Sequence, residues 1–200
     1  MKKKENKFTR ELNGMIRTVE GEGNENKVIL SFSSETPYRR WFGPEILSHE
    51  EGAMNMERLK ELGVVLFNHH TDEVVGKIAK VWIENERGMA EIEFDSDEKS
   101  QIIKNKVTSG TLKGVSVGYI VNLFEEVEAN ATSQDGKFEG PCSVARSWTP
   151  YEISIVSIPA DPTVGVGRSA EDDESEDDET LEKQFKNYEN IVAYNNNLCS

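Results

Sequence analysis

The chain has 200 residues, 36% of them hydrophobic, and its 37 acidic side chains outnumber its 23 basic ones to give a net charge of −14. This charge argues against a nonspecific nucleic-acid binder and against docking on anionic membranes, and no apolar run approaches the roughly 20 residues that span a bilayer. A secretory signal would require an apolar stretch after the lysines that follow Met1, and the sequence has none there. The two cysteines suggest neither a disulfide framework nor a thiolate metal site, so a reducing cytoplasm is expected.

Short apolar runs separated by turn signals dominate the first 160 residues and predict strands. In residues 88–94, Ala90, Ile92 and Phe94 share one face while glutamates occupy the other, which is the alternation of a half-buried strand. Residues 84–88 precede this run and are typical of a hairpin turn. The predicted strands are 28–33, 64–67, 77–83, 88–94, 115–121 and 153–158.

Two helices are predicted in the same region, at about residues 52–61 and 97–108. The second follows the capping residues Asp95 and Asp97 and ends before Gly110. Strands outnumber helices, and their spacing argues against alternating strand–helix–strand units. The sequence therefore predicts a mainly β fold with flanking helices, built as a closed or nearly closed small β-barrel.

The C-terminal part of the chain has a different composition. Eight of the ten residues 171–180 are acidic, and a block of like charge repels itself and has no apolar surface to bury. We therefore expect one folded domain at 1–170 and a disordered acidic tail at 171–200. Apolar residues at helical spacing in 181–194 predict a short amphipathic helix within that tail.

Three places in the folded part carry side chains suited to chemistry. The first is the polar cluster that follows the apolar run 64–67, where His69 and His70 stand at the predicted end of a strand. Histidine titrates near neutral pH and can transfer protons, although a satisfied structural histidine is the commoner case. Neighbouring residues on a strand point to opposite faces, so these two are not expected to bind one metal ion together.

The second place is Ser116, which lies in a predicted strand between Gly114 and Gly118. Glycine within a strand often marks the close approach of other backbone or of a ligand, which would suit a nucleophile that meets an extended peptide. The pattern also matches the nucleophile elbow of α/β-hydrolases, but the elbow requires a helix after the serine, and strand-like residues follow here. A structural serine at a bend of a barrel is the alternative.

The third place is the strand 153–158 and the residues just before it. Glu152 and Ser154 share a face there, while Tyr151, Ile153 and Ile155 lie on the other. A glutamate and a serine on an apolar strand are costly to bury without partners, so either the face is solvated or the two side chains have a role.

Four stretches taken together carry a family resemblance: residues 32–43, 66–77, 114–119 and 148–162. Each is a weak signal alone, but their order and spacing together are specific. Over residues 8–168 the chain resembles the prohead proteases of tailed bacteriophages, which are serine proteases of capsid maturation. The resemblance implies a fold similar to the herpesvirus assembly proteases, a small β-barrel wrapped by helices, in agreement with the strands predicted independently.

The resemblance also implies roles for particular residues. His69 matches the catalytic histidine of the family, Ser116 matches the serine of its glycine-rich strand, and Glu152 matches the glutamate before its last strand. Ser154 is a rival nucleophile. Many relatives carry Asp or Asn after the histidine, so His70 at that position keeps a Ser-His-His arrangement open.

The implied activity is that of a serine endopeptidase that needs no metal or organic cofactor. Its expected substrates are the scaffolding segment of the major capsid protein and the protease itself, inside the assembling prohead in the host bacterial cytoplasm. Backbone amides near the glycines, or Arg146 or Arg168, are candidates to stabilise the oxyanion. The herpesvirus relatives leave a homodimer open.

Two other classes compete with the protease hypothesis. A scaffold protein of the same fold would bind capsid protein without cutting it, although the presence of His69, Ser116 and Glu152 favours an active enzyme. An unrelated esterase or amidase is disfavoured by the missing helix after Ser116. The acidic tail is expected to serve as a packaging signal, a self-cleavage region or a scaffold fragment, or to be solvated without function.

Overall fold

A computed structural model describes residues 7–158 and contains, within that range, one ten-stranded sheet and two helices. The helices are α1 (Glu57–Leu62) and α2 (Glu98–Thr108). No helix in this part of the chain is long and apolar enough to cross a membrane. The strands are β1 (Lys7–Asn13), β2 (Ile16–Thr18), β3 (Lys27–Ser34), β4 (Tyr38–Arg40), β5 (Gly43–Leu47), β6 (Val64–Phe67), β7 (His70–Glu84), β8 (Arg87–Phe94), β9 (Gly114–Val127) and β10 (Cys142–Val156).

The sheet curls on itself. Its strand order is β1-β9-β10-β6-β7-β8-β3-β2, with β5 attached to β10 and β4 attached to β5. β10 pairs antiparallel with β9 and parallel with both β5 and β6. β1 and β2 lie at opposite ends of this order, yet only Gly14 and Met15 separate them in the chain. The two ends of the sheet must therefore approach each other at this point.

Gly14 allows that approach. Its N–H donates to the Lys113 carbonyl just before β9 at 3.1 Å, and the Met15 carbonyl accepts from the N–H of Ser31 in β3 at 3.1 Å. A Cβ at Gly14 would lie 2.5 Å from Val115 Cγ2 and 3.2 Å from the Ser31 carbonyl oxygen. The chain can pass from one end of the sheet to the other here because the residue has no side chain.

The hydrophobic core packs on one face of the sheet and under the two helices. The largest fully buried side chains are Trp148 and Tyr119, whose rings lie 5.7 Å apart at a steep angle. The Trp148 indole N–H donates to the Ser48 carbonyl at 2.8 Å, which satisfies the polar atom of this buried ring. Burial of each large apolar side chain stabilises the fold by about 1.5–3 kcal/mol. Leu59 of α1 and Ile103 of α2 belong to the same core.

A buried ionic cluster lies between β1, β4, β5 and β9. The Glu45 carboxylate has no exposed surface and accepts hydrogen bonds from Arg40 Nε at 2.8 Å and from the Tyr119 hydroxyl at 2.5 Å. Arg40 also donates to the Tyr119 hydroxyl at 2.6 Å. Burial lowers the pKa of the neighbouring Arg10. The carboxylate thus lies among cationic groups from two separate strands.

The mainly β architecture predicted from the sequence is confirmed. Each of the six predicted strands forms, although β7, β9 and β10 extend well beyond the predicted runs and β10 ends at Val156 rather than at residue 158. The strands β1, β2, β4 and β5 were not predicted, since they are short or carry charges on both faces. The likeness to herpesvirus assembly proteases stays a prediction.

The two predicted helices fare differently. The helix at 97–108 is confirmed as α2, whose cap residue Asp97 accepts a hydrogen bond from the Ser100 N–H at 3.0 Å. The prediction of a helix at 52–61 was wrong for the first half of that range, because α1 begins only at Glu57. Ala53 and Asn55 instead use their backbone groups to bond Trp148 in β10, each at 2.9 Å.

Three predictions lie outside the residues that the structure describes. They are the domain boundary at residue 170, the acidic tail at 171–200 and the helix at 181–194. All three stay predictions from the sequence.

Candidate active site

His69 lies in the tight turn that joins β6 to β7. Asn68 and His69 both have positive φ angles, 52° and 62°, and Phe67 pairs directly with His70. These features define a two-residue hairpin turn of type I′. The prediction that His69 follows the end of a strand is confirmed, because β6 ends at Phe67. The two histidines do not alternate along one strand, however, because the chain reverses at His69. The turn projects His69 from the tip of the hairpin.

Asn68 attaches the hairpin tip to the end of β10. Its side-chain oxygen accepts from the Ser157 N–H at 2.9 Å, and its amide group donates to the Ser157 hydroxyl at 3.2 Å. Its backbone N–H donates to the Ile155 carbonyl at 2.9 Å. Asparagine suits this position because it tolerates a positive φ and supplies both a donor and an acceptor. The result is that His69 is held over β10.

Glu152 and Ser154 meet His69 there. The His69 Nδ1 atom lies 2.7 Å from Glu152 Oε1 and 3.3 Å from Ser154 Oγ. The Ser154 hydroxyl donates to the other oxygen of Glu152 at 2.7 Å. Ser154 has no exposed surface and Glu152 is 8% exposed, so these contacts form away from bulk water. Three side chains that can transfer a proton are in mutual contact.

Gly118 makes room for this cluster. It pairs with Glu152 across the β9–β10 ladder, next to an irregularity in the register. A Cβ at Gly118 would lie 2.6 Å from Glu152 Oε1 and 2.7 Å from the Tyr151 ring. The sequence pattern had indicated a close approach at a strand glycine, and the group that approaches is the carboxylate.

The electrostatic surroundings favour the charged form of His69. The hydrogen bond to Glu152 raises the pKa of His69 above its usual value, against the opposing effect of burial, and the Glu11 carboxylate adds to the increase. Glu11 Oε1 lies 4.0 Å from His69 Nε2, an atom that is buried without a hydrogen-bond partner. Sequence reasoning missed Glu11 because β1 had no clear strand pattern.

Ser116 lies next to Ser154 without contacting the histidine. The two serines are directly paired in the β9–β10 ladder and share one face of the sheet. The Ser116 hydroxyl donates to the Arg10 carbonyl at 3.1 Å, and Ser116 has no exposed surface. The structure therefore brings His69, Glu152 and Ser154 together and gives Ser116 a backbone partner in β1.

The remaining candidates lie apart from this cluster. His70 is exposed at the start of β7 and makes no hydrogen bond to His69 within the described residues. Arg146 is held by the Asp135 carboxylate at 2.7 Å and by Glu125, and this contact with Asp135 is the main cause that raises the pKa of Arg146. Arg168 lies outside the described residues.

A histidine that contacts a carboxylate, with serine hydroxyls nearby, supplies the groups that serine hydrolases use. The carboxylate at Nδ1 orients the imidazole and stabilises its charged form, which leaves Nε2 as the nitrogen that can accept a proton. Here the parts come from the β6–β7 hairpin and from β10, so the class is defined by geometry on a curled β-sheet and not by a strand–turn–helix elbow.

Comparison with known proteins assigns the chain to a family of this class. Residues 52–178 match the caudovirus prohead serine protease family, and the chain belongs to that family. It is 35% identical over 146 residues to the major capsid protein of Halomonas phage phiHAP-1, and the matched stretch covers 71% of this chain and 23% of that protein. The chain thus spans less than a quarter of the length of this relative. No solved structure gives a significant match.

Proposed function

We propose that this chain is a serine endopeptidase that cleaves capsid and scaffold protein during prohead maturation and that also cuts itself. Its membership of the prohead serine protease family supports the reaction. The relative named major capsid protein contains a stretch similar to this chain, which favours capsid protein as the substrate. The enzyme would act inside the assembling prohead in the host cytoplasm.

We propose Ser116 as the nucleophile and keep Ser154 as the alternative. His69 would be the base, and Glu152 the acceptor that orients it. The contact of His69 Nδ1 with the Glu152 carboxylate at 2.7 Å supports this choice, because a carboxylate accepts, so Nδ1 carries the hydrogen and Nε2 is the atom left to act as base. Ser154 lies on the Nδ1 side of the ring and donates its own hydrogen to Glu152. Ser116 pairs with Ser154 in the β9–β10 ladder and would exchange its bond to the Arg10 carbonyl for one to Nε2 when substrate binds.

The reaction would then proceed by acyl transfer. The Nε2 atom of His69 accepts the Ser116 proton as the Oγ atom attacks the scissile carbonyl carbon, and Glu152 at Nδ1 stabilises the charged imidazole. The peptide C–N bond breaks, the proton passes from His69 to the leaving amine, and an ester joins Ser116 to the acyl group. Water, deprotonated by His69, hydrolyses the ester and restores the hydroxyl.

Access is the condition that this mechanism adds. Ser116 has no exposed surface, and the His69 side chain is 26% exposed. A substrate peptide must therefore displace the groups that cover Ser116 before attack. An enzyme with such a site would be inactive when isolated and active once bound to its assembling substrate, as processing inside a shell requires.

The decisive experiment is co-expression with the cognate capsid protein, read by intact mass spectrometry. The wild type would be compared with Ser154→Ala, with Ser116→Ala and with Ser147→Ala, a control serine of the same strand. We expect the wild type and the control to trim capsid protein or themselves, and Ser116→Ala to leave all masses unchanged.

Each alternative has its own outcome. Loss of cleavage in Ser154→Ala, with cleavage kept in Ser116→Ala, would move the nucleophile to Ser154. Unchanged masses in every variant, with capsids still assembling, would favour the silent scaffold protein. Hydrolysis of small esters without cleavage of capsid peptides would favour an esterase.

A further inference from the structure

The His69 ring reaches across β9, from β10 toward β1. Its Nδ1 atom contacts Glu152 of β10 at 2.7 Å, and its Nε2 atom lies 4.0 Å from the Glu11 carboxylate of β1. β9 runs between these two strands and carries Ser116. The nitrogen proposed as the base therefore points toward β1 and toward a second carboxylate, to which the catalytic assignment gives no role.

The strand register places Glu11 beside the proposed nucleophile. Glu11 pairs with Ser116 in the β1–β9 ladder, so the two side chains share one face of the sheet, with Cβ atoms about 5 Å apart. Thr9, the next residue of β1 on that face, is exposed, and the Glu11 side chain is 20% exposed. A bound peptide can thus reach the carboxylate from the solvent side.

This side of the site carries negative charge. The charged groups that act on the His69 ring within residues 7–158 are both carboxylates, Glu152 and Glu11. Glu152 is engaged with the ring and with the Ser154 hydroxyl. The distance from Glu11 to the ring exceeds the length of a hydrogen bond. Glu11 therefore acts on the ring, and on a molecule bound beside it, through its charge.

The chemistry of acyl transfer decides which part of a substrate comes closest to Glu11. The leaving amine takes its proton from His69 Nε2, so its nitrogen must lie within about 3 Å of that atom. The residue that carries this nitrogen is the first residue after the scissile bond. Its side chain therefore enters the space beside Glu11, where a lysine or an arginine would pair with the carboxylate.

We propose that Glu11 is a specificity-determining residue, which selects substrates with lysine or arginine as the first residue after the scissile bond. An acidic residue at that position would meet Glu11 as a like charge and would be rejected. Glu11 precedes residues 52–178, the stretch that matches the family, so the assignment depends on the geometry of this chain. It rests on the proposed function, because it requires that Nε2 of His69 serves Ser116.

The cleavage sites test this preference. Capsid protein cut during co-expression would be sequenced from each new N-terminus. We expect lysine or arginine as the first residue, and cleavage at least about tenfold slower when that residue is replaced by glutamate. Glu11→Lys should reverse the preference, so that the glutamate substrate is cut faster than the original. Glu20→Lys makes the same charge change at an exposed residue elsewhere and should preserve the preference.

Two substrates are compared within each variant, so a general loss of activity affects both alike and leaves their ratio unchanged. A neutral or acidic first residue at the wild-type cleavage sites would overturn the proposal. An unchanged ratio in the folded Glu11→Lys protein would overturn it as well.

A binding measurement makes the test independent of catalysis. The tripeptides Lys-Ala-Ala and Glu-Ala-Ala, which mimic the leaving group after cleavage, would be titrated into the full Ser116→Ala chain and followed by the imidazole signals of His69. We expect Lys-Ala-Ala to bind at least about tenfold more tightly, and the order to reverse when Glu11→Lys is added. Equal affinities, or no effect of either peptide on His69, would overturn the proposal. A chain that binds with this preference but cuts nothing would count against the proposed function alone.

Discussion

The pKa values of two histidines, His69 and His49, are shifted in opposite directions in this protein. His69 faces carboxylates, and its hydrogen bond to Glu152 raises its pKa. His49 is buried against neutral partners: its Nε2 lies 2.7 Å from the Ser33 hydroxyl and its Nδ1 lies 2.9 Å from the Leu47 carbonyl. Burial lowers the pKa of His49 to about 4. The surroundings, not the residue type, therefore decide in which direction the pKa of each histidine moves.

The lowered pKa of His49 predicts a loss of stability in mild acid. Between pH 6.5 and 4 the unfolded chain binds a proton at this position and the folded chain does not, so the free energy of unfolding falls with pH. From pH 7 to pH 5 the loss should be on the order of 2 kcal/mol. Because the raised pKa of His69 acts in the opposite direction, the prediction concerns a difference. The loss measured by urea denaturation should be larger in the wild type and in His70→Gln than in His49→Gln, by an amount on the order of 2 kcal/mol. Equal losses in all three would contradict the prediction.

Gly118 is the residue whose replacement should disturb the site most directly. A Cβ there would lie 2.6 Å from Glu152 Oε1, so Gly118→Ala should push the carboxylate away from His69 and lower cleavage by at least about tenfold. Gly88→Ala is the matched control, because its Cβ would meet Ser33 and Phe32 in another part of the sheet. It should lower the melting temperature and preserve the activity of the folded protein. A fully active Gly118→Ala enzyme would argue against a role for Glu152.

At the scale of elements, two hairpins use the same kind of turn. The β6–β7 turn contains Asn68 and His69, and the β7–β8 turn contains Asn85 and Glu86, all with positive φ. Such turns match the right-handed twist of the strands and favour asparagine in the first position. Among residues 7–158, the first turn is bonded to β10 through the Asn68 N–H and the Ile155 carbonyl, and the second turn has no such bond.

This pair of turns allows a matched comparison. Asn68→Ala and Asn85→Ala should each cost about 1–2 kcal/mol in unfolding free energy, since alanine is strained at positive φ. Asn68→Ala should also lower cleavage by at least about tenfold, because the hairpin tip loses its bonds to Ser157 and His69 loses its place. Denaturation and capsid cleavage would be measured on both. Equal activities would show that the bonds to Ser157 do not position His69.

The whole molecule depends on the closure of its curled sheet. β1 pairs with β9 at one end of the strand order, and β4 reaches β10 only through β5. The buried Glu45 cluster lies where these parts meet, with Arg40 and Tyr119 bonded to the same carboxylate. A buried ionic group of this kind stabilises a fold only while its partners remain together.

Removal of the central carboxylate should therefore destabilise the entire domain. Glu45→Ala leaves buried cations without their partner and should cost about 3–5 kcal/mol in a single cooperative unfolding transition. Glu84→Gln removes an exposed carboxylate whose contact with Arg17 spans 3.4 Å, and it should have almost no effect. Urea denaturation followed by circular dichroism measures both. A loss below about 1 kcal/mol in Glu45→Ala would mean that the cluster is already solvated.

Local patterns account for what the sequence alone determined. Alternation identified β8, the cap residue identified the start of α2, and a shared face placed Glu152 beside Ser154 on one strand. His69 was singled out by its position after an apolar run. Each of these inferences needed only a few neighbouring residues, because helix and strand periods are properties of short segments.

Only the tertiary structure decided which serine lies beside His69. Ser116 and Ser154 have similar surroundings in the sequence and share a face, but the parallel pairing of β6 with β10 carries the hairpin tip to Ser154. The approach of Glu11 to the same histidine depends on β1, far away in the chain. Strand pairing and register join distant segments, and no short segment contains the information that selects them.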